Sequence, residues 1–172
     1  MEDFYYCCEH LPEIDQSIVS EALATEYVKT SQPNEFVAPA ISSFAQTHFF
    51  NKLRADLKCS YPMYKKTPSN TLYDWHMDGK LDNPNRRKCS INIPLMFAEH
   101  AGVFFRTARE GTFYDVHRAK YVLYKPTLLN VSHEHCVIND SDNDRIVLNL
   151  SINYFSYTDT VEYFKNLKID SY

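Results

Sequence analysis

Residues 130–151 read NVSHEHCVINDSDNDRIVLNLS, and the placement of their two apolar runs decides the fold. Cys136–Ile138 and Ile146–Ile152 both suit strands, and Asn139 to Asp144 between them is a run of turn formers. The spacing predicts a strand, a polar turn and a second strand, most economically a hairpin. Alternation puts Ile146, Leu148, Leu150 and Ile152 on one side of the second strand and Arg145, Val147, Asn149 and Ser151 on the other. The first side wants a packed layer, while the second presents a guanidinium to whatever the sheet encloses. If Val137 pairs with Arg145, His135 sits a diagonal of roughly 7–8 Å from Arg145. A short dicarboxylate could then bridge a metal on His135 and the guanidinium.

Upstream, Leu72-Tyr73-Asp74-Trp75-His76-Met77-Asp78 has the same period. Asp74, His76 and Asp78 share one face of the expected strand, and Tyr73, Trp75 and Met77 the other. A His-x-Asp pair in a strand together with a distant His can form the 2-His-1-carboxylate triad of non-haem Fe(II), which leaves three positions open for chemistry. His-x-Asp alone is a weak signal. Followed by a strand His and, about ten residues later, a strand Arg, it is stronger.

Composition narrows the alternatives. The 172 residues suit one domain with a sizeable core. Only three glycines occur, so Gly-rich phosphate loops are excluded. A net charge of −4 argues against a nucleic-acid binder. No signal pattern or membrane-length apolar run appears. Five cysteines without a CxxC pair predict a reduced, cytoplasmic chain.

In chain order, Asp3–Cys8 reads as an edge strand and Leu11–Ala24 as an amphipathic helix with Pro12 in its first turn. A second helix is expected from about Pro39 to Asn51, with His48 in its buried stripe, a position that suits a core histidine better than a ligand. Strands are expected at Leu53–Met63 running into Tyr64, Leu72–Asp78, Lys88–Leu95, Val103–Ala108, Thr112–Val116 and Lys120–Tyr124, with a turn at Glu110-Gly111. Gly79–Arg86 reads as a polar rim or lid, and Thr158–Leu167 as a helix capped by Thr158. The fold class is therefore mainly β: a double-stranded β-helix of jelly-roll or cupin-like form, with N-terminal helices packed on one sheet. The expected organisation is one domain over 1–172, with a helical support region (1–56), the β core (57–156) and a C-terminal extension (157–172). Its inner face would carry His76, Asp78, Lys88, Ser90, Asn92, His135 and Arg145. So polar a lining implies a ligand.

Three segments, WHMDG, RRKCSINIPL and HCVINDSDNDRIVLNL, span Trp75 to Leu150, just under half the chain. They resemble the 2-oxoglutarate- and Fe(II)-dependent dioxygenases, in particular the prolyl 4-hydroxylase and aspartyl/asparaginyl β-hydroxylase branch. The resemblance implies a catalytic metal site at His76, Asp78 and His135, with Fe(II), 2-oxoglutarate and O2 as cofactor and cosubstrates. It implies Arg145 as anchor of the distal carboxylate of 2-oxoglutarate, helped by Tyr64, Ser90 or Asn92. Val147 stands where other branches carry a hydroxyl, so that contact must come from elsewhere. Asp78 separates the chain from the halogenases, which lose that ligand. The implied reaction is hydroxylation of a peptidyl or small-molecule substrate with release of succinate and CO2.

Two alternatives stand beside it: a cupin-like metalloenzyme that uses His133, His135 and His76 without 2-oxoglutarate, and a non-catalytic jelly-roll binding module. His133 and His135 share a strand parity, so it is the resemblance that favours His135, whose spacing to Arg145 and following Cys-Val-Ile-Asn match the family motif. Asp74 reads as a carboxylate behind the metal or in solvent, Arg86 and Arg87 as a solvated charge cluster, and His100 and His117 as exposed turn residues. Oligomeric state and substrate have no code in the sequence.

Overall fold

The computed structural model describes residues 3–40, 43–78, 86–96, 100–109 and 113–169. Eleven strands and three helices follow in order: β1 (Tyr5–Cys7), α1 (Gln16–Ala24), β2 (Val28–Lys29), β3 (Phe36–Pro39), a 3-10 turn (Phe44–Gln46), α2 (His48–Leu57), β4 (Met63–Thr67), β5 (Thr71–His76), β6 (Cys89–Met96), β7 (Ala101–Ala108), β8 (Tyr114–Arg118), β9 (Thr127–Leu129), β10 (His135–Asn139), β11 (Arg145–Ile152) and α3 (Tyr157–Asn166). They build two antiparallel sheets, one ordered β1-β9-β6-β11-β4-β3-β2 and the other β5-β10-β7-β8. This is the double-stranded β-helix, in which β4 to β5, β6 to β7, β8 to β9 and β10 to β11 each pass from one sheet to the other.

The residues 130–151 therefore do not form a hairpin. β10 pairs with β5 and β7, and β11 pairs with β4 and β6. The cause lies in the polar turn. Buried Asn139 donates from Nδ2 to the carbonyls of Thr67 (3.0 Å), Pro68 (2.8 Å) and Asn143 (2.9 Å), and its Oδ1 accepts from the Ser141 hydroxyl at 2.7 Å. The β4–β5 crossing runs alongside, tied by Asn70 N–H to Ser141 O at 3.1 Å and Ser69 N–H to Asp144 Oδ1 at 3.2 Å. Asn70 takes the left-handed conformation there, with φ 51°, which asparagine tolerates.

The face assignment on β11 holds. Ile146, Leu148, Leu150 and Ile152 join Cys89, Ile91, Ile93 and Leu95 of β6 in the main core. Ile18, Val19 and Ala22 of α1, Phe49, Phe50, Leu53 and Leu57 of α2, and Val161 and Phe164 of α3 pack on the same layer. All three helices thus cover the outer face of the seven-stranded sheet. A smaller cluster, Phe4, Val103, Phe105, Ala119, Leu129 and Val131, fills one end between the sheets.

Several boundaries differ from expectation. Asp15 caps α1 by accepting the Ser17 N–H at 2.7 Å, so Leu11 and Pro12 precede the helix rather than open it. Pro39 ends a strand, and the second helix is His48–Leu57, capped by Thr47 and closed by left-handed Lys58. Leu53–Leu57 is thus helix and not strand, because Leu53 and Leu57 lie one turn apart beside Phe49 and Phe50. His48 is exposed. Lys120–Tyr124 forms no strand, and Ser156, not Thr158, caps α3. The region 1–56 contributes three strands as well as helix, including the β2–β3 pair. Residues 79–85 of the expected rim and the turn at Glu110-Gly111 lie outside the described residues. Among the described residues, no helix is long and apolar enough to cross a membrane.

Asn139→Ala strips three carbonyls of their donor in a buried turn. It should lower the unfolding free energy by about 1–3 kcal/mol, as expected for buried polar groups left unpaired. Urea denaturation measures this, and a change within about 0.5 kcal/mol, as for a surface substitution, would deny the turn its structural role.

Candidate metal centre

Between the sheets lies a cavity of about 260 Å³, whose wall includes His76, Asp78 and Arg87 at one end and Arg145, Val147 and Asn149 from β11. His76 closes β5 and His135 opens β10, and the two are register partners. Asp78 lies two residues past the end of β5, where its N–H donates to Val131 O at 3.1 Å. One ligand atom from each of His76, Asp78 and His135 comes within 4.8 Å of the others, a group able to hold a metal ion.

The imidazoles are oriented alike. His76 Nδ1 lies 2.7 Å from the carbonyl of Asp74, and His135 Nδ1 lies 2.9 Å from the carbonyl of His133. A carbonyl only accepts, so each Nδ1 carries a proton, which leaves Nε2 as the nitrogen available to a metal. Burial pushes the His135 imidazole down to about 4, against the attraction of Asp78, so it is neutral near pH 7. Asp78 Oδ1 lies 3.7 Å from His76 Nε2, while its Oδ2 accepts from Arg87 Nε at 2.6 Å and from Arg87 Nη2. One carboxylate oxygen is thereby tethered and the other left toward the imidazoles. Two imidazole nitrogens and one carboxylate oxygen suit a divalent ion of the iron type.

The parity reading of the His-x-Asp strand needs correction. A register shift between His135 and Val137 pairs them with His76 and Tyr73, so β5 carries one extra residue there. Tyr73 and His76 consequently both line the cavity, whereas Asp74 is exposed and serves His76 only through its backbone carbonyl. Arg87, expected in a solvated cluster, is a cavity residue whose Nη1 also reaches Asn149 Oδ1 (3.5 Å) and Ser151 Oγ (3.3 Å).

At the other end Arg145 is buried, 3 % exposed, and its Nη2 lies 3.5 Å from the Tyr121 hydroxyl. Among the described residues no carboxylate pairs with it. A buried guanidinium in this state calls for an anion. Ser90 and Asn92 line the cavity as expected, linked through Asn149, whose Nδ2 donates to both at 2.6 Å. Tyr64 does not line it. Its ring belongs to the helix-side core, and its hydroxyl lies 3.1 Å from Glu21 Oε1 and 3.4 Å from Ile18 O. Since Tyr64 pairs with Leu148, it shares that residue's apolar face. The hydroxyl beside Arg145 is instead Tyr121, whose OH also accepts from Asn92 Nδ2 at 3.2 Å. The strand expected at Lys120–Tyr124 does not form, so strand periodicity could not place Tyr121 beside Arg145.

His133 precedes β10 and packs edge-on against Phe4, ring centroids 5.0 Å apart, outside the cavity wall. A cupin-like set of His133, His135 and His76 is therefore not assembled. His117 stacks on Phe4 at 5.0 Å, so it is no exposed turn residue, while His100 is exposed in a turn.

No protein-family model matches the chain, and no curated protein matches it in sequence. Solved structures do match in fold. A prolyl 4-hydroxylase from Pseudomonas putida is 16 % identical, with a TM-score of 0.56 over 88 % of this chain and 93 % of its own. HygX from Streptomyces hygroscopicus, with nickel, 2-oxoglutarate and hygromycin B bound, is 11 % identical, with a TM-score of 0.58 over 89 % and 84 %. A prolyl hydroxylase from Trichoplax adhaerens, in complex with a hypoxia inducible factor peptide fragment, is 13 % identical, with a TM-score of 0.54 over 89 % and 80 %. At these identities the likeness establishes the fold, which is that of the 2-oxoglutarate and Fe(II) oxygenases.

His76→Ala and His135→Ala should each abolish uptake of one Ni(II) per chain by isothermal titration calorimetry, whereas His133→Ala should retain it. Retention by the first two would dissolve the triad.

Proposed function

We propose that this chain is an Fe(II)- and 2-oxoglutarate-dependent dioxygenase that hydroxylates a peptidyl or small-molecule substrate, with release of succinate and CO2. The observation that carries this reading is one cavity holding both a His-Asp-His ligand set and a buried guanidinium without a carboxylate partner among the described residues. The matching folds add support, since HygX holds a metal and 2-oxoglutarate, and a prolyl hydroxylase holds a peptide.

His76, Asp78 and His135 would hold the iron. When bound, iron supplies the redox chemistry that couples oxidative decarboxylation of the keto acid to substrate hydroxylation. Arg145 and the Tyr121 hydroxyl take the distal carboxylate, which fixes how far the keto-acid end reaches toward the ligand set. Ser90, Asn92 and Asn149 satisfy one another along the wall and set its polarity. Val103, Leu129, Val131, Val137 and Val147 supply the apolar part of the lining and keep water from the reacting end.

Anaerobic addition of Fe(II) and 2-oxoglutarate should give the visible charge-transfer band of a chelated keto acid, and admission of O2 should give succinate. Metal binding without either signal would reject the reading in favour of a non-catalytic module. Arg145→Ala should raise the 2-oxoglutarate KM by about 100-fold or more, the cost of unpairing a buried charge, and spare metal binding. Tyr121→Phe should raise it about tenfold, as for one hydrogen bond to a charged group. An unchanged KM in either variant would remove that residue from the anchor.

A further inference from the structure

Both imidazole acceptors are peptide carbonyls. Asp74 C=O belongs to the peptide unit that joins Asp74 to Trp75, and His133 C=O to the unit that joins His133 to Glu134. The side chains at the far ends of those two units, Trp75 and Glu134, meet on one residue that lines no part of the cavity. That residue is Arg106 of β7, which takes no part in the ligand set.

The Arg106 guanidinium is held on three sides. Its carbon lies 4.6 Å from the centroid of the Trp75 ring and 4.5 Å from that of Tyr114, which leads β8. Nε donates to Glu134 Oε2 at 2.6 Å and Nη2 to Glu134 Oε1 at 2.5 Å, a bidentate pair. The Arg106 backbone N–H also donates to Glu134 O at 3.1 Å, so side chain and main chain grip the same residue. Phe105, immediately before Arg106, is the register partner of His135. A lone exposed ion pair fixes little. A planar, forked pair stacked against aromatic rings, with the arginine side chain 24 % exposed, is the ordered exception.

We infer that Arg106 is a positioning residue for the metal centre: by clamping Trp75 and Glu134 it fixes the two peptide carbonyls that hold the His76 and His135 imidazoles in register. This rests on the facial-triad reading and adds to it a support outside the cavity, on residues that touch no ligand atom. Rotation of either peptide unit would turn its carbonyl away from Nδ1–H and free the ring to swing. Loss of an outer partner of a ligating histidine typically weakens metal affinity 10–100-fold.

Trp75 is the only tryptophan and is adjacent to His76, so its emission reports on both clamp and site. Ni(II) titration of the full chain, followed by Trp75 quenching and by calorimetry, should give a 10–100-fold higher Kd for Arg106→Ala and for Glu134→Gln. Arg106→Lys, which keeps the charge but loses the fork, should fall between wild type and Arg106→Ala. The double variant Arg106→Ala/Glu134→Gln should cost less than the two losses combined, because both break one contact. Lys120→Ala, which breaks the exposed Lys120–Glu9 pair, should leave Kd unchanged. In the Co(II)-loaded wild type, two exchangeable, paramagnetically shifted Nδ1–H proton resonances are expected, and both should exchange faster with solvent in Arg106→Ala. Folded Arg106→Ala with wild-type Kd and unaltered resonances overturns the inference. Should Arg106→Ala fail to fold, Glu134→Gln with wild-type Kd overturns it equally. A wild type that takes up no Ni(II) instead overturns the triad reading beneath it.

Discussion

The polar turn at Asn139 is the constraint on which the geometry of the cavity depends. A two-stranded ladder would have put His135 and Arg145 on one sheet, side by side. Asn139 instead spends its amide on the carbonyls of Thr67, Pro68 and Asn143, and so ties the β10–β11 turn to the β4–β5 crossing. β10 then pairs within the four-stranded sheet and β11 within the seven-stranded one. The imidazole and the guanidinium end on opposite walls of one cavity, with space between for a small acid. Helix packing on the outer face of the larger sheet follows from the same division, because it leaves the apolar side of β11 and β6 needing cover.

Much of this was legible in the sequence because period-two alternation survives in the central strands. β6 and β11 are flanked by strands on both sides and buried on both faces, so each residue's parity fixes its wall. The polar inner positions Ser90, Asn92, Arg145 and Asn149 stood out against apolar neighbours for that reason. Parity failed where the strand itself is irregular. The extra residue in β5 moves Tyr73 onto the cavity wall and leaves Asp74 outside it, and nothing local in Tyr73-Asp74-Trp75 announces a bulge. Tyr121 was missed for a related reason, since it acts from a segment that forms no strand. Leu53–Met63 misled because Leu53 and Leu57 fit an alternating run as well as a helical one, and packing beside Phe49 and Phe50 decided for helix.

Arg87 shows what a charge cluster conceals. Read alone, Arg86-Arg87-Lys88 resembles a solvated basic run. In the fold, Arg87 turns inward to hold Asp78 and reaches β11 through Asn149 and Ser151. The same contact couples Asp78 to the strand that carries Arg145, so the two ends of the cavity share a hydrogen-bonded wall. Backbone register fixes the imidazoles, and side-chain pairing fixes the carboxylate.

Charge around the cavity then selects the class of molecule that completes it. The Glu35 carboxylate lies 2.7 Å from Lys65 Nζ, and Asp78 is paired with Arg87, so these four ionised groups largely cancel. Burial keeps His135 neutral near pH 7, and Arg145 remains as a cation without a carboxylate partner among the described residues. A chain whose net charge is −4 thus encloses a positive interior. A divalent ion held by His76, Asp78 and His135 would deepen that surplus, at a site of low dielectric where an unmatched charge is costly. A dianion long enough to touch both the guanidinium and such an ion would reduce it at both ends, whereas a monoanion would leave one end unmatched. On these charges a dicarboxylate would fit the cavity better than a monocarboxylate, and because one positive charge would still remain, a cationic substrate group would be disfavoured there.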